Sequence, residues 1–486
     1  MKLCELINNL NVKKILNPED LEIKSLSCNS KEINNSGLFF CFRGIKTDGH
    51  LYYKEAISNG AVAFITEREI DTICPQIIID DARLAMGIVA SNFYHNPISK
   101  MKLIGITGTN GKTTTTYLLR EIFMEAGLKV GLIGTSAIYI DTKKLPTNMT
   151  TPDPIELHKI FNEMYESGVN VVVMEITAHA LDLNKMAGVK CDIAVLTNIT
   201  QDHLDYFKTI EHYTDTKAKL FSSKMCHLAL INADDENGRL IAHNTDVMCA
   251  SYGITEPSNV FAIDINMSVS GTTFFINLFD ELAEIKTNLI GQFNVYNTLC
   301  ACAVARLYGI PVNVIIEGVA SLTSVEGRFN QIVTKFGYTV IIDYAHTPDG
   351  LEKVMDTARQ ICKGKLITVF GCGGDRDRTK RPIMGRLATL KSDIIILTSD
   401  NPRSENPDEI IAEIKTGILN TENVVSIENR KKAIEYALKI ANANDIVLLC
   451  GKGAENYQEM KGTKYPFKDE DEVLKALKNL EEIRRN

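Results

Sequence analysis

Short apolar runs alternate with segments of helical periodicity along most of the chain. Leu103-Ile-Gly-Ile is apolar and β-branched, the mark of a buried strand. A glycine-rich turn follows. Residues 113–126 then place Leu118, Leu119, Ile122 and Phe123 at helical spacing, and Gly127 suits the helix end. Val130-Gly-Leu-Ile-Gly is the next strand. A strand–turn–helix–strand unit predicts a parallel sheet, because only a crossover connection brings the second strand back beside the first in the same direction. Residues 171–175 and 192–196 read as further buried strands, and 260–265 with 272–279 as an antiparallel edge or flap.

The same alternation returns near the C-terminal end. Strands are expected at 365–371, 393–399, 424–427 and 445–451, with helices at 407–419 and 430–443 between them. This predicts a second doubly wound α/β unit, whose ligand crevice lies at the carboxyl ends of its strands. Asp400-Asn-Pro-Arg and Gly451-Lys-Gly-Ala-Glu both sit at such ends. The first hundred residues mix short strands, such as Gly37-Leu-Phe-Phe-Cys-Phe and Ala61-Val-Ala-Phe-Ile-Thr, with helices. Asn96-Pro-Ile-Ser-Lys-Met-Lys is polar and carries Pro97, so it reads as a linker.

The length of 486 residues agrees with about three domains at roughly 150 residues each. The expected organisation is α/β throughout. A smaller N-terminal α/β domain spans 1–98, a central P-loop parallel-sheet domain 99–327, and a Rossmann-like C-terminal domain 328–486. With 45% hydrophobic and 23% charged residues the chain is neither disordered nor fibrous. The net charge of −8 argues against nonspecific nucleic-acid binding. It leaves room for anionic small molecules in a locally basic cleft. No apolar run approaches the roughly 18 residues of a membrane span, and the opening MKLCELINNLNVKK has no signal-peptide core. The twelve cysteines include no C-x-x-C pair, and Cys300 and Cys302 stand closest. Buried, reduced thiols in a cytosolic protein are expected.

The strongest chemical signal is Gly108-Thr-Asn-Gly-Lys-Thr-Thr, which follows a strand and opens a helix. Backbone N–H groups there form an anion site, Lys112 supplies a positive charge for phosphates, and the Thr113 hydroxyl suits Mg²⁺. A strict P-loop would carry a glycine where Ile106 stands. Glu175 at a strand end, and His203 with Asp202 and Asp205, offer further polar groups on the same sheet. Asp343-Tyr-Ala-His-Thr-Pro-Asp and Gly371-Cys-Gly-Gly-Asp-Arg-Asp-Arg-Thr-Lys-Arg-Pro follow buried strands and concentrate charge there.

In this order the motifs resemble the Mur ligase family, ATP-dependent amide-forming enzymes of peptidoglycan precursor synthesis. The matching pieces run from Asn29-Ser-Lys and Thr47-Asp-Gly through Gly108–Thr114, Thr150-Thr-Pro, Thr197-Asn, Asp202-His-Leu-Asp, Gly291-Gln-Phe-Asn-Val-Tyr-Asn and Gly327-Arg. They continue with Asp343-Tyr-Ala-His-Thr-Pro, Gly371–Pro382, Asp400-Asn-Pro-Arg and Gly451-Lys-Gly-Ala-Glu. The resemblance implies ATP and Mg²⁺ as cofactors. It implies UDP-N-acetylmuramoyl-L-alanyl-D-glutamate and a diamino acid as substrates, no nucleic-acid or membrane partner, and a cytoplasmic monomer.

It assigns ATP to Gly108, Thr109, Asn110, Gly111, Lys112, Thr113, Thr114, Asn294, Asn297, Arg328 and Asp343, and catalysis to Lys112, Glu175, His203 and Lys217. Thr113, Glu175, His203 and Lys217 would serve metal, with Lys217 carbamylated. The uridine and muramoyl-peptide side falls to Ser30, Ile45, Lys46, Thr47, Thr150, Thr151, Thr177 and Lys185. The diamino acid falls to Arg376, Asp400, Asn401, Pro402, Arg403, Gly451 and Glu455. Asp400-Asn-Pro-Arg is the form associated with meso-diaminopimelate. Arg403 or Arg376 can hold the distal carboxylate that lysine lacks by a bidentate pair, and Glu455 can hold the distal ammonium.

The chain departs from the family pattern at five places. Thr177-Ala-His stands for Ser-Ser-His, Lys185 for arginine, Met149 for asparagine, Asn29 for aspartate, and Ala454 for histidine. These positions leave open a related ligase that adds lysine or another amine to a related carboxylate.

Overall fold

The computed structural model describes residues 1–44, 47–147, 149–268 and 270–485. Three sheets organise the chain. The N-terminal sheet orders its strands Lys14–Leu16, Gln76–Ile78, Ala61–Thr66, Gly37–Cys41 and Ser25–Ser27, with only the first pair antiparallel. The C-terminal sheet orders Asn330–Val333, Thr339–Asp343, Ile446–Cys450, Leu366–Phe370, Ile394–Leu397 and Val424–Ser426, again with one antiparallel edge.

The central sheet has eleven strands. Its middle is parallel: Met248–Gly253, Cys226–Asn232, Cys191–Leu196, Lys102–Thr107, Val171–Glu175 and Val130–Ile133 lie side by side. On one flank Val260–Ser268 joins in parallel and is followed by the antiparallel Gly271–Leu278 and Glu281–Thr287. This is the expected antiparallel edge, one strand longer than the sequence pattern suggested. On the other flank Ile138–Ile140 and Lys143–Leu145 add a second antiparallel extension. Those two strands have only three residues each, too few for a visible alternation.

Both faces of the central sheet are covered, which is why its strands are near-continuous apolar runs. Side chains alternate across the pleat. Ile104, Ile106, Val171 and Val173 pack with Leu118, Leu119, Ile122 and Phe123 of the helix Lys112–Glu125 and with the helix Gln292–Tyr308. Leu103, Val172 and Met174 turn the other way, onto Leu157, Phe161 and Met164 of the helix Pro154–Glu166. Each such fully buried aliphatic or aromatic side chain contributes about 1.5–3 kcal/mol.

The C-terminal sheet is likewise sandwiched. Ile341, Leu366, Phe370 and Leu448 face the helices Pro348–Ile361 and Lys380–Lys391. Val340, Ile367, Val369 and Val447 face Arg430–Ile440 and Asp469–Arg485. A fully buried ion pair pins the last helix: Arg430 Nε and Nη2 donate to Asp469 at 2.7 and 2.6 Å, and Nη2 also donates to the Cys450 carbonyl at 3.0 Å.

The two aspartates that precede apolar runs tie neighbouring strands together. Asp393 Oδ2 accepts from Leu366 N and Asp445 Oδ1 from Lys365 N, both at 2.7 Å. Residues 96–101 differ from the expected polar linker. Pro97–Lys100 forms a 3₁₀ turn with Pro97 and Ile98 buried, so the connection is packed. All twelve cysteines are free. Seven are buried as expected, but Cys4 and Cys28 are exposed.

Candidate active site

The parallel register aligns the carboxyl ends of three strands. Glu175 lies opposite Ile106, and Leu196 lies opposite Thr107. The Gly108–Gly111 turn therefore emerges between Glu175 and Thr197. Gly108 and Gly111 both take positive φ, 147° and 89°, where side chains are disfavoured. A Cβ on Gly108 would sit 1.9 Å from Thr197 Oγ1, and one on Gly111 2.4 Å from Asn297 Oδ1. The glycines are thus required by conformation and by space. Ile106, standing where a strict P-loop has glycine, is simply a core residue of the strand.

Lys112 folds back over its own turn, Nζ donating to Gly108 O at 2.8 Å and Thr109 O at 2.9 Å. Lys217 reaches the turn from the helix Ile210–Ala218. It is 1% exposed, and its Nζ donates to Gly108 O at 2.9 Å and Thr107 Oγ1 at 3.4 Å, 4.6 Å from the Tyr213 ring centroid. Burial, then the Lys112 charge, drives the Lys217 pKa well below the ordinary lysine range. Burial likewise lowers that of Lys112, with Glu175 opposing.

Glu175 is buried and held by one residue: Thr135 N donates to Oε1 at 2.9 Å and Thr135 Oγ1 to Oε2 at 3.0 Å. Thr135 Oγ1 also lies 3.0 Å from Thr150 Oγ1, and Thr151 Oγ1 donates to the Glu175 carbonyl at 3.0 Å. Thr177 N in turn donates to Thr151 Oγ1 at 3.1 Å. Lys185 extends this group, its Nζ 2.8 Å from Asp153 Oδ1 and 3.4 Å from Thr151 O. Thr150, Thr151, Thr177 and Lys185 thus form one continuous polar wall running away from Glu175.

His203 takes φ 56° and lies 3.3 Å from Asp202 Oδ2, which also faces His346 Nε2 at 3.8 Å. Burial keeps His203 neutral, with a pKa near 3 despite the Asp202 charge.

The C-terminal unit closes one side. Arg328 Nη2 donates to Thr113 Oγ1 at 3.1 Å, and its guanidinium lies 4.5 Å from the Tyr344 ring centroid. Asp343 accepts from Phe329 N and Ala345 N, both at 2.7 Å, and so fixes the turn that carries Arg328. Asn110 Nδ2 donates to Asp349 Oδ2 at 2.9 Å, a direct tie from the glycine turn to the helix Pro348–Ile361. Asn297 Nδ2 donates to Asn294 Oδ1 at 3.0 Å on the buried face of the helix behind the turn.

The loops at the ends of the C-terminal strands form a second cluster. Asn401 Nδ2 donates to Glu455 Oε2 at 2.8 Å, and Lys452 Nζ donates to Asn401 Oδ1 at 3.1 Å and Glu455 Oε2 at 2.9 Å. Gly451, at φ 112°, abuts Asp400, whose Oδ2 would lie 2.5 Å from a Cβ there. Arg403 Nη1 donates to Gly374 O at 2.7 Å, and Gly374 packs on the Pro402 carbonyl. Arg376 stands beside the same glycine-rich loop but is exposed and donates to the Asp375 carbonyl at 3.1 Å. Sequence reasoning missed Thr135 and Glu459, and gave no role to Asp349 and Lys452 within the motifs it singled out. Thr135 follows the strand Val130–Ile133, so the strand-end reading given to Glu175 could have found it.

On the N-terminal unit, Ser30 Oγ donates to Glu55 Oε2 at 2.5 Å, and the Thr47 carbonyl accepts from Gly44 N at 2.8 Å. Ile45 and Lys46 lie outside the described residues.

Strand, glycine turn and helix, with a lysine over the turn, define a P-loop α/β protein built from three sheets. More narrowly, the chain belongs to the Mur ligase family. The Mur ligase family catalytic domain matches residues 22–98, the Mur ligase middle domain 106–305, and the Mur ligase glutamate ligase domain 327–453. The chain is similar to two proteins named UDP-N-acetylmuramoyl-L-alanyl-D-glutamate–2,6-diaminopimelate ligase. With that of Clostridium acetobutylicum, ligase 1, it shares 42% identity over 484 residues, covering 99% of this chain and 100% of the relative. With that of Caldanaerobacter subterraneus it shares 44% over 481 residues, covering 98% and 99%. A solved structure bearing the same enzyme name superposes with a TM-score of 0.70 at 30% identity, covering 99% of each chain. The MurF ligase of Thermotoga maritima, solved with ADP, shares the fold at a TM-score of 0.68 and 21% identity, covering 96% of this chain and 100% of that one.

Proposed function

We infer that this chain is an ATP-dependent amide ligase that adds meso-diaminopimelate to UDP-N-acetylmuramoyl-L-alanyl-D-glutamate in peptidoglycan precursor synthesis. The observation that carries this reading is the near full-length identity of 42–44% with ligases of that name. The site geometry agrees with it. The glycine turn, Lys112, Glu175 and Lys217 meet at the ends of three adjacent strands, and Asn401, Arg403 and Glu455 gather on the C-terminal unit.

The chemical problem is the meeting of two anions, a γ-carboxylate and a triphosphate. Lys112 and the turn N–H groups hold the phosphates, while Asn294, Asn297, Arg328 and Asp343 bound the adenosine side. Ser30, Thr47, Thr150, Thr151, Thr177 and Lys185 hold the uridine and muramoyl-peptide parts. The carboxylate oxygen attacks the γ-phosphorus and ADP leaves. The amine of the diamino acid then attacks the acyl phosphate carbon, a tetrahedral intermediate collapses, phosphate leaves with the bonding pair, and the nitrogen loses a proton. Lys112 and Arg328 stabilise the charge that builds on the transferring phosphoryl group.

The residues fit Mg²⁺. Among the described residues no group of three His, Cys, Asp or Glu could hold a metal alone. Mg²⁺ asks for less: one or two carboxylates or hydroxyls, with phosphate oxygens and water completing the shell. Thr113 and Glu175 would supply hard oxygens to one ion, His203 would serve a second, and a carbamylated Lys217 would add an anionic ligand. Bound Mg²⁺ neutralises phosphate charge. Carbamylation suits Lys217 because burial disfavours its charged form and so favours the amine whose lone pair attacks CO₂. The N–C bond forms, the nitrogen loses a proton, and an uncharged amine becomes a metal-binding anion.

We further propose domains at 1–98, 99–327 and 328–486, supported by the three sheets, and a cytoplasmic monomer whose site residues all come from one chain. No described helix is long and apolar enough to cross a membrane. A coupled assay tests the function: ADP release requires ATP, the UDP-muramoyl dipeptide and the diamino acid together. Release without the dipeptide would contradict it.

A further inference from the structure

The hairpin Tyr457–Met460 with Thr463–Pro466 lies outside the main sheets, yet it is bound closely to the loop that carries Asp400 to Arg403. Gln458 Nε2 donates to Asp400 O at 2.6 Å, Glu459 N to Asn401 Oδ1 at 2.9 Å, and Arg403 N to Glu459 O at 3.1 Å. Lys461 N donates back to Arg403 O at 2.6 Å. These bonds hold Arg403 at φ +50°, a conformation that side chains other than glycine, asparagine and aspartate rarely adopt. A residue so constrained at a ligand loop is set up for a task.

The side chain of Glu459 then acts on Arg403 directly, with Oε2 3.4 Å from Nε. Gly374 O takes one Nη1 hydrogen from the far side at 2.7 Å. A guanidinium has five donors in one plane. One is committed to Gly374, and the Glu459 carboxylate pairs with the Nε side of the plane. Among the described residues nothing takes the outer edge, one Nη1 hydrogen and the Nη2 pair, which suits a bidentate carboxylate. Asn401 joins this arrangement to an opposite one: its Oδ1 receives Glu459 N and Lys452 Nζ, and its Nδ2 binds Glu455. The loop therefore presents a carboxylate reader, Arg403 clamped by Glu459, and an ammonium reader, Glu455 braced by Lys452, in fixed relation.

We propose that Glu459 is a specificity-determining positioning residue, which clamps Arg403 so that its outer edge reads the distal carboxylate of the amino-acid substrate. This rests on the ligase reading above. A substrate with both a carboxylate and an ammonium at its far end satisfies both readers. A substrate with an ammonium alone gains nothing from the clamp.

The test is steady-state kinetics of the full-length enzyme with meso-diaminopimelate and with L-lysine. E459A should raise the KM for diaminopimelate about 5- to 30-fold, the loss expected when a charge-assisted pair is misaimed. It should leave the KM for ATP and the UDP-muramoyl dipeptide unchanged, change kcat less than about 3-fold, and leave the KM for lysine unaltered, so the preference falls. E459Q, which keeps an oxygen of the same reach beside Nε, should restore most of the affinity. Adding E459A to R403A should cost nothing more, because the clamp acts only through Arg403. An E459A enzyme with unchanged or lower KM for diaminopimelate would overturn the inference, as would a further loss in the double variant. Failure of the ligase reading looks different: the unaltered enzyme would not turn over diaminopimelate at all, which would overturn both.

Discussion

Lys112 and Lys217 share one acceptor: the Gly108 carbonyl receives Nζ hydrogen bonds from both, at 2.8 and 2.9 Å. Two ammonium groups on one buried oxygen repel each other, and burial already disfavours the charge on Lys217. The arrangement makes it easier for the Lys217 amine to lose its proton. Conversion of that amine to a carbamate would turn repulsion into attraction and supply an anion where a phosphate-bound cation is needed.

Lys217→Ala should therefore lower ligase activity by at least about 100-fold, the scale of losing one preorganised charge at a phosphoryl site. A short carboxylate such as acetate should restore part of it. Carbon-13 NMR of the enzyme in labelled bicarbonate should show a carbamate resonance that the variant lacks. Full activity in Lys217→Ala would remove the carbamate from the account.

Arg403→Ala should raise the KM for diaminopimelate about 10- to 150-fold, because a charge-assisted bidentate pair is worth roughly 1.5–3 kcal/mol. Turnover at saturation should change far less. An unchanged KM would place Arg403 outside the amino-acid pocket.

Much of this site was legible because its residues lie at strand ends. Glu175 and the Gly108–Thr114 turn each follow an apolar run, and in a parallel sheet such positions come together whatever their distance in sequence. Lys217 was not legible in the same way. It sits within a helix of mixed polarity, and composition alone favours a solvated lysine, whereas the structure buries it to 1% exposure. Glu459 gave no signal, since its significance depends on how a four-residue strand docks on a loop more than fifty residues earlier. Arg376 is exposed beside the glycine loop, and its part in the amino-acid pocket stays a proposal. The short antiparallel strands 138–140 and 143–145 escaped notice because pairing, rather than hydrophobic pattern, defines them.

Thr135 holds both oxygens of Glu175, one through its amide and one through its hydroxyl. Thr135→Val keeps the shape and removes the hydroxyl donor from a buried carboxylate. It should lower stability by about 1–3 kcal/mol in urea unfolding, and it should reduce kcat while leaving the KM for diaminopimelate alone. Unchanged stability and kcat would mean that Glu175 is positioned by other groups.

His158 is buried with its ring 5.8 Å from that of Phe161. Burial lowers its pKa to about 4, with the nearby Ala187 backbone opposing. The unfolded imidazole titrates near 6.5, so below that pH the unfolded state takes up a proton that the folded state refuses. Its contribution to stability is complete above about pH 6.5 and declines as pH falls toward 4, by about 3 kcal/mol in total. Urea midpoints measured from pH 7 to pH 4 should show the decline, and His158→Phe should flatten it. Parallel profiles for the two proteins would refute the assignment.

The most direct measurement is turnover with meso-diaminopimelate and L-lysine offered together at equal concentration, with ATP and UDP-N-acetylmuramoyl-L-alanyl-D-glutamate saturating and the products separated by mass. The account predicts the diaminopimelate-containing tripeptide in large excess, with one ADP released per amide formed. Predominance of the lysine product, or ADP release without either amide, would contradict it.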